Sequence, residues 1–425
     1  KSINTANAAA MPGVLAVFTG EDFKDVGGNP AGWLINSRDG TPMREPKRPV
    51  LAHGKVRHVG DSYAAVIAES YQQAKDAAQQ LADDTDIEEL PAIIDMAKAL
   101  ADSSNRVHDE IPDNQCYDWG WIEDNRAAVD AAFKSAPHVT TLELVNNRLV
   151  PNAMEPRASI GDFDPGTGDY KLYTTSQNPH LTRLLVAAFV LGIPENKLTV
   201  VAPDVGGGFG SKIYHYGEEA LVLAAAKKLG RPVRWIAERS ESFLSDAHGR
   251  DHVTKIELAS TKDGEILAIR TETLANVGAY LSNFSTATPT FLHGTLMAGP
   301  YKVPHVYVNV KTVFTNTAPV DAYRGAGRPE ANLTIERVMD HAARVLGVDG
   351  FDLRARNVIR TFPYPMISGE AVDCGDFARV LAVAKDRADV AGFAARKSAR
   401  QAAGRLRGLG VASYQEAILG SRAQM

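Results

Sequence analysis

The sequence predicts an α+β chain of two or three domains. Three observations carry that reading. At 425 residues the chain is too long for one ordinary domain and long enough to bury a sizeable core. Short apolar runs bounded by glycine, proline and aspartate stand among alanine- and leucine-rich stretches of helical length, so strands and helices are mixed. The composition, 44% hydrophobic and 23% charged, is that of an ordinary globular protein.

Residues 1–95 read as a small α/β unit. Residues 13–19 make a short buried strand ended by Gly20, and residues 63–68 a second. Residues 71–81 carry Ala and Gln at helical spacing with no breaker, and Pro91 closes the unit. Residues 24–50, rich in Gly, Pro and charge, read as an exposed loop. Residues 96–120, with the polar run 102–105, read as a linker with short helical turns.

Residues 121–374 mix both element types. Strands are expected at 139–145, 170–175, 198–202 and 307–314. Strands at 253–258 and 266–273 flank Lys262-Asp263-Gly264, a hairpin signal. Helices are expected at 181–191, stopped by Gly192 and Pro194, at 218–229, ended by Gly230, and at 333–346, ended by Gly347. Residues 375–425 read as helices followed by a strand at 410–414 with no partner after it, the mark of an interrupted domain.

Net charge is −5 with both signs interspersed, which argues against a basic nucleic-acid-binding face. No stretch has the apolar length of a membrane span. The opening residues lack the order of a secretory signal, and two distant cysteines, Cys116 and Cys374, fit a reducing compartment, read as the cytoplasm. No cysteine spacing suits an iron–sulfur cluster or a structural zinc. No histidine pair has a metal-ligand setting; His248 and His252 have helical spacing, but Gly249 lies between them. No GxSxG elbow is present.

Three segments could carry chemistry. In residues 200–212 a strand runs into Gly206-Gly207-Gly208-Phe209-Gly210-Ser211-Lys212. Without Cβ atoms such glycines let backbone amides approach an anion or oxo group. The dinucleotide fingerprint fails because Ser211 stands where its last glycine belongs, and the P-loop fails because no glycine precedes a Lys-Ser/Thr pair. The alternative is a glycine-rich turn at a sheet corner. In residues 174–180, Gln177 sits between a strand and a helix start at Asn178-Pro179, where its amide could face a ligand or bond local backbone. In residues 321–330, Arg324 and Arg328 flank Gly325 and Gly327 at a helix entrance, which suits either an anion or a capped helix with Arg328 on the surface.

Together, and in this order, the three segments resemble the large subunit of the molybdenum hydroxylases, the family of aerobic carbon monoxide dehydrogenase, xanthine dehydrogenase and aldehyde oxidase. Residues 152–157 (NAMEPR), 276–280 (NVGAY), 299–304 (GPYKVP), 353–357 (LRARN) and 373–377 (DCGDF) resemble family segments too. The resemblance covers essentially the whole chain. It implies a hammerhead domain over 1–95 lacking its beginning, a linker over 96–120, a first molybdopterin-binding domain over 121–374 and the start of a second over 375–425. It implies a molybdopterin dinucleotide cofactor, in the cytosine form, and hydroxylation of a carbon centre with oxygen from water. Electrons would leave through a [2Fe-2S] small subunit and an FAD medium subunit.

Carried over position by position, Gln177 matches the glutamine that approaches an oxo ligand of molybdenum. Gly207, Gly208, Phe209 and Gly210 match the loop whose amides face that group and the pterin, and Arg324 matches the arginine whose backbone lines the pocket. Fixed amide donors stabilise charge on such a centre without competing as ligands. Gly325 stands where copper-containing carbon monoxide dehydrogenases place a cysteine, so no copper is expected. Ile213 replaces the purine-holding glutamate, Leu292 the substrate-side arginine and Ala326 a stacking phenylalanine of xanthine oxidising enzymes. An aromatic, heteroaromatic or aldehyde substrate suits these apolar positions better than a purine. The late Gly-Val-Gly-Glu segment with the catalytic glutamate is absent. The resemblance therefore implies no catalytic residue in this chain, an inactive isolated chain, and either a second chain that completes the molybdenum site or a truncated product. The competing readings are a non-catalytic scaffold and a nicotinamide-dependent oxidoreductase, the latter disfavoured by the glycine spacing.

Overall fold

The computed structural model describes residues 1–416 apart from Glu370. Residues 417–425, the last part of the expected interrupted domain, lie outside the described residues.

The N-terminal unit is a two-stranded antiparallel ribbon, Val14–Thr19 against Ala64–Ala68, backed by the helix Tyr71–Asp83. Ser70 caps that helix by accepting from the Gln73 N–H, and Ala77 and Leu81 bury against the ribbon. Residues 24–50 differ from the exposed loop expected. They have no extended strand or helix, yet Ala31, Ile35 and Met43 are buried in the large core and the Gly32 N–H donates to the Asn283 carbonyl at 2.6 Å. The segment is a strap, and its apolar residues are too scattered to signal burial by periodicity.

Two mixed sheets carry the rest. The larger has five strands in the order Gln115–Trp121, His305–Phe314, Ile266–Gly278, His252–Ser260, His138–Asn146. All neighbours are antiparallel except Ile266–Gly278 and His305–Phe314. The strand His305–Phe314 is buried along almost its whole length, as a strand covered on both faces must be. The helix Arg328–Leu346 packs over His138–Asn146 and His252–Ser260 through a buried stripe that includes Ile335, Val338 and Met339. Each such side chain contributes about 1.5–3 kcal/mol on burial. The linker expected over 96–120 does not run to its end as linker. Its last residues enter the edge strand Gln115–Trp121, with Cys116, Tyr117 and Trp119 buried.

The smaller sheet has the order Val233–Ile236, Ala158–Asp164, Asp169–Thr174, Leu198–Val201, the last pair parallel. Its face is covered by the helix Gly217–Leu229, which comes very close at Gly161: a Cβ there would lie 2.5 Å from the Val222 carbonyl carbon. The stretch expected as one helix over 181–191 is an α-helix, Pro179–Leu184, that widens into a π-helix, Leu185–Leu191, before Gly192.

Near the C-terminus the helices Phe377–Arg387 and Phe393–Ala402 form as expected, but residues 410–414 are not a strand. A strand needs a ladder partner. Here the segment is held by a side chain instead, with the Arg354 guanidinium donating to the Val411 carbonyl at 3.2 Å. Among the described residues no helix is long and apolar enough to cross a membrane.

Candidate functional site

The parallel pair Asp169–Thr174 and Leu198–Val201 decides where the site lies. Tyr173 pairs with Val201, so the segments leaving the carboxyl ends of both strands emerge side by side. That end of parallel strands is where open α/β sheets bind ligands. One exit carries Gln177 and the other the glycine loop 206–212. They are joined directly: the Gln177 N–H donates to the Lys212 carbonyl at 2.7 Å, and Gln177 Oε1 accepts from the Gly210 N–H at 3.0 Å and the Lys212 N–H at 3.3 Å. Of the two alternatives for the glutamine, bonding local backbone is the one the structure shows. Its oxygen bonds local backbone, and its Nε2 carries no hydrogen bond among the described residues.

The third segment reaches the same place from the larger sheet. The Arg324 N–H donates to the Phe209 carbonyl at 2.8 Å. The approach is so close that a Cβ on Gly210 would lie 2.2 Å from the Ala322 oxygen. Gly207, Phe209 and Gly210 all have positive φ, and Phe209, at +55°, is a bulky residue held in the left-handed region while 44% exposed. A non-glycine outlier of this kind persists only where its surroundings fix it. The Gly208 and Phe209 N–H groups donate to no acceptor among the described residues, whereas the Gly210 N–H is taken by Gln177.

Residues that sequence reasoning missed hold this arrangement. The Arg250 guanidinium donates to the Tyr323 carbonyl at 2.7 Å and the Arg324 carbonyl at 2.8 Å, lies 4.9 Å from the Tyr323 ring centre, and pairs with Glu330 at 3.2 Å. Burial pushes the Glu330 carboxyl up despite that pairing. Tyr214 donates its hydroxyl to the Ala322 carbonyl at 2.9 Å. Asp321 is fully buried; burial raises it to about 6, although it accepts from the Phe284 and Ala322 N–H groups. Arg328 is also buried, in contrast to the surface position that a simple capped helix would give it, and the helix it opens starts five residues before the expected 333. No local pattern marks Arg250 as a clamp, because its partners lie 73 to 80 residues away.

Two of the three expected pocket positions share one cluster, and the third lies against the segment that follows Arg324. Ile213 and Ala326 pack on one small apolar cluster with Tyr214, Ala247, Ala322 and Phe284. Leu292 lies against Gly327, where a Cβ would come within 2.7 Å of the leucine Cβ. A cleft of about 630 Å³ is elsewhere, between the strand Ala64–Ala68 and the helix Gly217–Leu229, and holds none of these residues. Among the described residues no group of three or more His, Cys, Asp and Glu could hold a metal ion.

Residues 107–358 match the molybdopterin cofactor-binding domain, and residues 1–84 match the α/β hammerhead domain of aldehyde oxidase and xanthine dehydrogenase. The chain belongs to this molybdenum hydroxylase large-subunit family. It is 34% identical over 440 residues to the carbon monoxide dehydrogenase large chain of Hydrogenophaga pseudoflava, covering 98% of this chain and 53% of that one. It is 30% identical to the nicotinate dehydrogenase large molybdopterin subunit of Eubacterium barkeri, covering 84% of this chain and 78% of that one. Among solved structures, quinoline 2-oxidoreductase from Pseudomonas putida 86 superposes with a TM-score of 0.84 at 31% identity, over 95% of this chain and 50% of that one. The chain thus spans about half the length of several relatives it matches and more than three quarters of one.

Proposed function

We propose that this chain forms the pterin- and molybdenum-facing wall of a hydroxylase that oxidises a heteroaromatic or aldehyde carbon. The observation that carries the proposal is the convergence of Gln177, the glycine loop and Arg324 through direct hydrogen bonds, with the Gly208 and Phe209 N–H groups left without protein acceptors among the described residues. Those two amides and Gln177 Nε2 are fixed donors of the kind an anionic oxo centre needs. Gly207 and Gly210 have backbone conformations that side chains rarely adopt, and Gly208 has no room for one because a Cβ would lie 2.2 Å from Gln177 Oε1. The residues present therefore fit the cofactor.

When bound, the molybdenum cofactor supplies two-electron oxidation of a substrate carbon with oxygen derived from water. This chain's residues bind and orient. Gln177 Nε2 and the Gly208 and Phe209 amides donate toward the cofactor. The Arg324 backbone, pinned between Phe209 and Arg250, sets the floor of the pocket. Ile213, Leu292 and Ala326 offer apolar surface and no charge with which to hold a purine. The quinoline and nicotinate named for two relatives support a nitrogen heterocycle as substrate. Gly325, at φ +93°, brings no thiolate for copper. Cys116 is buried in the large core and Cys374 lies in the C-terminal segment; both are free thiols, which supports a cytoplasmic setting.

The sequence contains no Gly-Val-Gly-Glu segment of the kind that carries the family's catalytic glutamate, which supports an inactive isolated chain completed by a further segment or second chain. The relative called a large molybdopterin subunit, 78% of which this chain covers, supports a division of the site between chains. The cofactor is assigned the cytosine dinucleotide form, with a [2Fe-2S] small subunit and an FAD medium subunit receiving electrons. Dye-linked oxidation by the co-purified complex tests the reading. Quinoline, nicotinate or an aromatic aldehyde should be oxidised; turnover of carbon monoxide or xanthine alone would contradict it.

A further inference from the structure

A charged pair beneath the glycine loop has no part in the function proposed so far. Lys212 ends the loop with its side chain only 1% exposed, an unusual place for a strongly hydrated ammonium. Among the described residues its one side-chain acceptor is Glu155 Oε2, at 2.8 Å. The same carboxylate oxygen accepts from the Gly206 N–H at 2.8 Å, at the other end of the loop. The contact is reciprocal, since the Glu155 N–H donates back to the Gly206 carbonyl at 3.2 Å. It is also tight: a Cβ on Gly206 would lie 2.6 Å from the Glu155 Cβ. Burial pushes the Glu155 carboxyl up, but the Lys212 hydrogen bond, the Gly206 N–H and the lysine charge outweigh it and hold the group below the usual carboxylate range.

One carboxylate oxygen thus closes a seven-residue loop across its two ends. Within the loop, Ser211 also donates to the Gly208 carbonyl through its N–H at 3.1 Å and its hydroxyl at 3.0 Å. The other contacts run outward: the Gly210 and Lys212 N–H groups donate to Gln177, and the Lys212, Ser211 and Phe209 carbonyls accept from Gln177, Tyr216 and Arg324. None of these other bonds ties Gly206 to Lys212, so the Gly206 end depends on Glu155, and a glycine-rich segment has more conformations to lose than any other. Burying the Lys212 ammonium against a carboxylate whose side chain is 37% exposed is a poor way to gain stability, because apolar residues of equal volume often do as well. Its use here fits a need for geometry.

We propose that Glu155 and Lys212 form a side-chain staple that holds residues 206–212 in the cofactor-binding shape. Both are positioning residues, acting through the Gly208 and Phe209 amides. The proposal rests on the function proposed above. The test uses the full holoprotein co-expressed with its genomic neighbours, comparing wild type, Glu155→Gln, Glu155→Ala and the double variant Glu155→Ala/Lys212→Met. The readouts are molybdenum and pterin retained per chain after exhaustive gel filtration, melting temperature, and kcat and KM per bound molybdenum.

Loss of a supporting partner behind a metal site typically costs roughly 10- to 100-fold in affinity or activity. Glu155→Ala should lose retention and kcat on that scale with KM unchanged. Glu155→Gln, which still accepts from Gly206 and Lys212, should recover most of both. The double variant removes the stranded lysine charge, so it should recover melting temperature without recovering retention. Recovery of retention together with melting temperature would reduce the pair to a structural contact and overturn the proposal. So would wild-type retention and kcat in Glu155→Ala. A wild-type holoprotein without molybdenum would instead sink the proposed function itself.

Discussion

Replacing Gly210 by alanine should be far more damaging than replacing Gly230, and the difference can be worked out from the backbone. Both glycines have positive φ, +114° at Gly210 and +64° at Gly230. At Gly230, the C-terminal cap of the helix Gly217–Leu229, nothing lies within 4 Å of the position a Cβ would take, so alanine meets only the left-handed conformational cost of about 1–2 kcal/mol. At Gly210 the conformation is worse, costing about 1–3 kcal/mol, and the new Cβ would sit 2.2 Å from the Ala322 oxygen. Relief requires the segments to part. That breaks the hydrogen bond from Arg324 to Phe209, about 1 kcal/mol, and pulls against the two carbonyls held by Arg250. The quantified terms sum to about 2–4 kcal/mol. At about 2–4 °C per kcal/mol for a domain of this size, Gly210→Ala should lower the melting temperature by about 10 °C and Gly230→Ala by about 4 °C. Circular dichroism melts of the two variants against wild type measure both. Equal melting temperatures would show that the loop and the Arg324 segment are not locked together, and the account of the site would fail.

Gln177→Ala removes the acceptor shared by Gly210 and Lys212 and a fixed donor; in the completed enzyme it should lower kcat by roughly two to three orders of magnitude, and wild-type turnover would refute its assignment. Arg250→Met removes the cation hydrogen-bonded to the buried Glu330, though the charge of Arg328 still acts on it, and should destabilise by about 3–5 kcal/mol in urea unfolding, with Arg250→Met/Glu330→Gln recovering part of it; an unchanged midpoint would refute the clamp. Acid should destabilise the chain. Burial lowers His293 to about 4, so the folded state keeps it neutral while the unfolded chain takes up a proton as pH falls through about 6.5. That stability is complete above pH 6.5 and lost toward pH 4, about 2 kcal/mol between pH 7 and 5 from His293 alone, with His108 and His248 acting in the same direction. Asp321, raised to about 6, works in the opposite direction by holding its proton longer when folded. Urea titrations of wild type and His293→Gln should show a smaller pH 7 to 5 difference in the variant; an equal difference would refute the contribution.

What is local in the fold is visible in the sequence. Gly230 and Gly347 mark true helix ends, and Lys262-Asp263-Gly264 marks the turn between paired strands. The strand Ala158–Asp164 is hidden, because its central Gly161 reads as a breaker and makes sense only once the helix Gly217–Leu229 lies against it. The strand Gln115–Trp121 resembles linker because its ladder partner, His305–Phe314, is almost two hundred residues away in the chain. Residues 410–414 have a strand's composition without a partner, and composition alone does not make a ladder.

The site shows the same division. The glycine loop, Gln177 and Arg324 are legible as motifs, and the fold brings them into contact. The groups that fix them, Glu155 at a separation of 51 to 57 residues and Arg250 at 73 to 80, are ordinary charged residues until the chain folds.

The central claim is that these amides hold a molybdenum cofactor, and molybdenum and pterin content of the purified chain, alone and co-expressed with its genomic neighbours, tests it most directly. The account predicts one molybdenum and one pterin per chain on co-expression, without copper, and little of either for the chain alone. Absence of both in the co-expressed complex, or copper in equal amount with molybdenum, would contradict it.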